Sequence, residues 1–244
     1  MRKKDPYLQY PATRREVLAW ARTTGIIWMM SGIPRPTYAA SAISQSLCIV
    51  RPEQTEGPYF VDERLHRSDI RTDPTDKRVT PGIPLTILFQ VMHLRAGDCQ
   101  PLPDAQVDVW HCDARGIYSD VQDSGFDTTG QKFLRGHQVT NARGEAQFIT
   151  IYPGWYPIRT IHIHVKIRTA TIMNRRHEFT SQVYFPDDLT DRVHLAVPYS
   201  LNGRRRVRNH HDFIFRDGGD RLMLQPVETN NGYTATFPIA LVTS

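Results

Sequence analysis

Residues 159–167 read RTIHIHVKI, and no other stretch limits the fold as tightly. Ile161, Ile163, Val165 and Ile167 alternate with His162, His164, Lys166 and Arg168. A period of two marks a β-strand with one apolar and one polar face, so both imidazoles leave the same face. Such a pair either belongs to a polar face meeting solvent or a satisfied network, or it ligates a metal ion.

The rest of the chain repeats the period. LTILFQVMHL (85–94), AQVDVWHC (105–112), EAQFITI (145–151), FTSQVYF (179–185) and GYTATFPIALV (232–242) read as strands separated by Gly/Pro turns. Helical periodicity is poor, and neither repeats nor low-complexity segments occur. The pattern predicts an all-β protein with a β-sandwich core. Residues 43–84, rich in Pro and charge, are expected as an extended arm over that core, with RAGDCQPLPD (95–104) as turn and 119–132 as a long loop. RRRVRNHH (204–211) reads as a solvated loop without the interleaved aromatics of a single-strand nucleic-acid binder.

Charge is unevenly placed. The net +5 of the 244-residue chain comes from its beginning: residues 1–42 hold seven of the 30 Lys/Arg and two of the 25 Asp/Glu, leaving 23 of each in the body. A neutral body argues against a polyanionic partner such as nucleic acid. The beginning itself, with TRREVLA (13–19), the uncharged TTGIIWMMSGI (23–33) and the small residues of TYAASA (37–42), resembles a twin-arginine export signal cleaved near Ala42. The expectation is an exported mature body, 43–244, forming one domain without a membrane anchor. Cys48, Cys99 and Cys112 lack CxxC spacing; in an oxidising compartment they allow one disulfide and one free thiol, of unassigned pairing.

Several ligand sets can be built on the histidine pair. Zinc would take a further imidazole from His111 or His137. A ferrous facial triad would need a carboxylate in the motif, and none is there. Tyr118 in GIYSD and Tyr156 in PGWY offer phenolates, hard anionic donors of the kind that suit trivalent iron.

TEGPYF (55–60), VDVWHCDARGIYSD (107–120), FLRGHQVTNARGEAQFITIYPGWY (133–156) and RTIHIHVKI (159–167) occur in this order, and together they resemble an intradiol ring-cleavage dioxygenase. The resemblance spans about residues 48–186 and takes in catechol, hydroxyquinol and protocatechuate dioxygenases. It implies a mononuclear, non-haem Fe(III) held by Tyr118, Tyr156, His162 and His164. Tyr156 also matches the ligand that leaves the metal and takes a substrate proton. Arg159 matches the arginine facing the substrate, and Gln182 the glutamine closing the pocket near the reacting ring. The implied reactants are a small aromatic diol and O2, the product is a muconate-type diacid, and homo-oligomers are common in the family. One departure stands out. Only five residues separate Tyr156 from His162, fewer than in well-studied members, which bears on the substrate pocket.

Among the neighbours, His111 is expected as a strand residue, Trp110 as core, Glu56 as a residue holding the arm and Tyr59 as a residue of the pocket rim. The rival reading is an exported β-sandwich binding module in which the same residues hold a structural metal.

Overall fold

The computed structural model describes residues 48–169 and 177–242, so the expected export signal lies outside the described residues. Alternation sets the strands where it was read. In chain order they are β1 (Pro84–Arg95), β2 (Asp98–Pro101), β3 (Gln106–Trp110), β4 (Gln122–Asp123), β5 (Phe126–Asp127), β6 (Arg135–Val139), β7 (Glu145–Ile151), β8 (His162–Arg168), β9 (Glu178–Tyr184), β10 (Val227–Thr229) and β11 (Gly232–Val242).

Two sheets face each other. In the first, β11 lies between β10 and β1, and it runs parallel to β1 from Leu85–Tyr233 to Leu94–Val242. The other edge of β1 is shared by β7 and β2, which pair with its two halves. The second sheet has the order β6-β3-β8-β9 and is antiparallel throughout. Leu85, Ile87, Phe89 and Val91 of β1 and Phe237 and Ile239 of β11 meet Val107, Val109, Ile163, Val165, Ile167 and Val183 of the second sheet in one buried cluster. The apolar half of each alternating strand therefore lies between the sheets, as in a sandwich.

The polar half of β8 does not meet solvent: His162, His164 and Lys166 are all buried. The arm covers them. Lys166 pairs with Glu56 and Glu178, and its ammonium stands 4.2 Å above the Phe60 ring, which itself lies 4.8 Å from Trp110. The arm is tied to the first sheet at Val50–Ala240 and Asp69–Ile149, and to the second at His66–His137. A Cys48–Cys99 disulfide fixes its start to β2, and Cys112 stays a buried free thiol.

Three expectations change. RAGDCQPLPD is not all turn: β2 follows β1 through Ala96 and Gly97, both with positive φ, the twist a two-residue hairpin needs. The polar composition of DCQP hid a strand whose side chains mostly face water. Within 119–132, β4 and β5 form a minimal hairpin. Among the described residues one α-helix, α1 (Asp187–Val193), interrupts the β pattern, with Asp187 and Asp188 in its first turn and Arg192 in its last, complementary to the helix dipole. At seven residues it is too short for helical periodicity to declare itself.

Candidate metal centre

The candidate site lies on the outer face of the second sheet, and register builds it. Trp110 on β3 lies opposite His164 on β8, and His164 lies opposite Gln182 on β9; on the other side Trp110 faces Arg135 on β6. Four functional side chains thus share one row across four strands. His162, two residues along β8, pairs with Tyr184 in the next row of that face. The indole of Trp110 stacks on the His164 ring at 4.8 Å and 8°, fixing its plane.

The two tyrosines arrive on loops pressed together. Asp113 folds the CDARGIY turn by accepting from the amides of Arg115 (2.8 Å) and Ile117 (2.9 Å). The Gly154 amide donates to the Asp113 carbonyl, joining that turn to PGWY. A Cβ at Gly154 would sit 2.4 Å from the Ala114 carbonyl, and one at Gly116 2.2 Å from the Trp155 carbonyl, so both glycines are demanded by the contact.

The result is a convergence of four donors. Tyr118 Oη lies 3.4 Å from His162 Nε2, Tyr156 Oη 3.2 Å from the same nitrogen, and His162 Nε2 3.2 Å from His164 Nε2. Donors about 2 Å from a common ion stand roughly 3 Å apart, so this spacing fits one cation. His162 Nδ1–H donates to the Thr160 carbonyl at 2.7 Å, which leaves Nε2 with its lone pair toward the centre. Among the described residues no three of His, Cys, Asp and Glu gather closely enough to hold a metal, so a cation here depends on the phenols.

Burial dominates the electrostatics. It holds His162 and His164 well below the usual imidazole range, with the Arg159 cation adding to the effect, so both rings are neutral. It also raises the Tyr118 phenol well above its ordinary value, helped by the neighbouring Tyr156, and raises Tyr156 too, against the pull of Arg159. Two phenols that hold their protons this firmly give them up only to a strong Lewis acid. The donor set, two hard oxygens and two imidazoles, fits a trivalent ion of the kind expected. The tyrosines differ in access: Tyr118 is 1% exposed, whereas Tyr156 is part-exposed beside the exposed Pro157 and Ile158.

Arg159 and Gln182 complete the cluster. Arg159 NH1 lies 3.4 Å from His162 Nε2, Nε–H donates to Asp212 at 2.8 Å, and NH2 donates to Gln182 Oε1 at 2.5 Å. Gln182 Nε2 donates to the Thr55 carbonyl at 2.9 Å. Both ends of that amide are occupied by protein, so Gln182 orients Arg159 and holds the arm.

The remaining sequence candidates take quieter places. His111 is a fully buried, satisfied residue, with Nδ1–H donating to the Cys112 carbonyl (2.8 Å) and Nε2 accepting from Thr150 (2.6 Å). His137 stacks on His66 away from the donors. Tyr59 packs beside the donors: its ring stacks on Tyr118 at 4.5 Å and its hydroxyl donates to Asp123 at 2.6 Å.

Two residues escaped the sequence reading. Arg135, in the quoted FLRGHQ, is 2% exposed and donates to the Ser119 carbonyl and hydroxyl and to the Tyr59 carbonyl (2.6 Å), so it ties the Tyr118 loop to the arm. Asp212 follows the basic run taken as a solvated loop. That run is anchored: Arg205 pairs with Asp187 (2.5 Å) and Asp191 (2.8 Å), and Asn209 is buried against the Phe185 carbonyl (2.9 Å). An apolar-poor composition gave no sign that the segment closes over the site.

Residues 55–212 match the family model described as Dioxygenase. No curated protein matches the chain. Among solved structures, an intradiol ring-cleavage dioxygenase from Tetranychus urticae aligns with 29% identity and a TM-score of 0.67, over 80% of this chain and 94% of that one. The dioxygenase domain of a dioxygenase carbohydrate-binding protein fusion from Streptomyces sp. SirexAA-E aligns with 31% identity and a TM-score of 0.57, over 80% and 100%. Catechol 1,2-dioxygenase from Acinetobacter sp. ADP1, at 20% identity and a TM-score of 0.53 over 84% and 67%, shares the fold. With a family model spanning most of the body and solved relatives aligned over four fifths of this chain, the chain belongs to the intradiol ring-cleavage dioxygenases.

Proposed function

We propose that the protein is a non-haem Fe(III) enzyme that opens a catechol-type ring between its two hydroxylated carbons with O2, giving a muconate-type diacid. The observation that carries this is the convergence of the Tyr118, Tyr156 and His164 donor atoms on His162 Nε2, each within 3.2–3.4 Å of it, with the Arg159 guanidinium beside them. These four residues would hold the iron. Bound ferric iron would supply Lewis acidity toward a diol and a route for electron density from the ring toward O2.

The chain's own residues do the rest. Tyr156, the more exposed phenol, is the one placed to take a proton from an incoming hydroxyl at its Oη, as a general base. Tyr118, buried and stacked beneath Tyr59, stays in place. Arg159, held from two sides, presents NH1 to negative charge growing on the substrate. The five-residue link from Tyr156 to His162 leaves Ile158 71% exposed.

Export of the mature body is part of the same proposal, supported by the Cys48–Cys99 disulfide, which suits an oxidising compartment. Comparing the mass and location of the protein in fractionated cells tests it: an uncleaved cytoplasmic product refutes export.

The deciding experiment for the reaction is the visible spectrum of iron-loaded protein before and after anaerobic catechol or hydroxyquinol, followed by O2. A phenolate-to-iron band that shifts with a diol, then loss of the diol as a ring-opened diacid, is expected. A protein that stays colourless with bound iron refutes the ligand set.

A further inference from the structure

One imidazole of the pair is aimed by a hydrogen bond and the other is not. His162 Nδ1–H donates to the Thr160 carbonyl at 2.7 Å, whereas His164 Nδ1 is buried and has no partner among the described residues. A metal-binding histidine ordinarily takes its ring orientation from just such a bond. Tyr118 is in the same position as His164: its hydroxyl reaches only the other donors, His162 and Tyr156.

What holds these two rings is packing, and the packing comes from the arm. The Tyr59 ring lies on Tyr118 at 4.5 Å and 26°. Phe60 meets Trp110 at 4.8 Å and 60°, and Trp110 lies flat on His164 at 4.8 Å and 8°. The indole Nε1–H is buried without a partner, so Trp110 is placed by its faces and not by its polar edge. Gly57 brings the arm backbone against the same imidazole, since a Cβ there would sit 3.3 Å from His164 Cε1. Aromatic pairs at these separations attract, and a ring packed on its face loses freedom to rotate. The arm segment is itself pinned. Asp123 accepts from the Tyr59 hydroxyl at 2.6 Å, Arg135 donates to the Tyr59 carbonyl at 2.6 Å, and the Lys166 ammonium, paired with Glu56, stands 4.2 Å over Phe60.

We propose that the arm is a positioning element of the metal centre. It supplies no donor, yet Tyr59 holds Tyr118, and Phe60 holds His164 through Trp110, where no hydrogen bond does so. The inference rests on the four-donor reading for what the rings bind, and not for how they are held. It divides the donors: Tyr118 and His164 answer to the arm, and His162 answers to the Thr160 carbonyl.

The test compares wild type with Tyr59→Leu, Phe60→Leu and the conservative Tyr59→Phe. Phe148→Leu, in the core between the sheets, controls for a general loss of stability. In metal-free protein, ring resonances are followed by NMR. Tyr59→Leu should speed flipping of the Tyr118 ring, and Phe60→Leu should broaden the His164 imidazole signals while those of His162 stay as in wild type. Tyr59→Phe keeps the stacked face and should restore slow flipping. In iron-loaded protein, both Leu variants should release iron to a chelator about tenfold faster or more, beyond any change that Phe148→Leu produces at a matched fall in melting temperature. Equal loosening of His162 and His164 overturns the proposal, as do Tyr118 and His164 signals unchanged in the Leu variants. Iron release that follows melting temperature alone, Phe148→Leu included, also overturns it. The metal-free rings decide the inference even where the reaction assigned to the centre fails.

Discussion

Arg159 and Asp212, 53 residues apart, form a buried ion pair at 2.8 Å, with side-chain exposures of 7% and 0%. Asp212 also accepts from the Thr160 amide (2.7 Å) and from the amides of Ile214 and Phe215. One carboxylate thus fixes the guanidinium, the entry to β8 and the segment that closes over them. Asp212→Asn should keep iron and colour, because no donor is touched, yet lower kcat by about tenfold to a hundredfold as Arg159 loses its fixed orientation. Asp212→Ala should in addition destabilise the fold by about 3–5 kcal/mol, leaving a buried charge unpaired. Turnover numbers normalised to iron content check the first, and denaturant unfolding the second; normal kcat in Asp212→Asn would remove the positioning role.

The tyrosines should separate by substitution. Tyr118→Phe removes a donor that is 1% exposed and cannot be replaced by solvent easily, so iron retention and the phenolate colour should both fall. Tyr156→Phe removes the more accessible donor and the proposed base, so turnover should fall further than iron content. Metal analysis beside the visible spectrum and steady-state rates distinguishes the two patterns.

Arg135 ties the Tyr118 loop to the arm through the carbonyls of Ser119 and Tyr59. Arg135→Leu fills the space and leaves those acceptors buried and unpaired, at roughly 1–3 kcal/mol each. A lower melting temperature and faster iron loss to a chelator are expected; Arg135→Lys should recover part of both.

Acid should unfold the protein through its buried histidines. Burial lowers His111 and His194 to about 4, each from an ordinary value of 6.5. A histidine whose folded value is depressed favours folding above the unfolded value, and that contribution is lost as pH falls through the window between 6.5 and about 4. The melting temperature of metal-free protein should therefore drop between pH 6.5 and 4. His111→Asn, which keeps a polar partner for Thr150, should flatten that drop. A melting temperature independent of pH over this range would contradict the assignment.

Reduction supplies another handle. The Cys48–Cys99 bridge closes a separation of 51 residues, for which the chain-entropy account gives about 4 kcal/mol. Cys48→Ser should lower stability in that direction and free the arm, which carries the Thr55 carbonyl that Gln182 binds. Unfolding curves and arm proteolysis, with and without reductant, measure it.

Much of the centre was legible because it obeys the period of two. His162 and His164 announce themselves in RTIHIHVKI, and once β9 is in register Gln182 falls beside His164 without further information. What stayed hidden is everything that reaches the site by tertiary closure. Asp212 sits in a polar stretch with no periodicity, and its value lies in a partner 53 residues away. Arg135 lies on a strand, yet arginine in a half-polar strand gives no sign that its guanidinium turns toward three backbone and side-chain oxygens. The arm over the core was expected, but that it covers the polar face of β8 was unreadable, since the arm has no regular structure. The short α1 was missed because about two turns cannot show a period.

The parallel pairing of Leu85–Leu94 with Tyr233–Val242 has a consequence for how the protein is made. During synthesis, β1 emerges long before its partner β11, and its apolar residues wait unpaired on that edge. The sheet can close only when nearly the whole described chain has left the ribosome. Long-range pairing is then the slow step of folding, and the β1 edge stays open to wrong partners until β11 arrives.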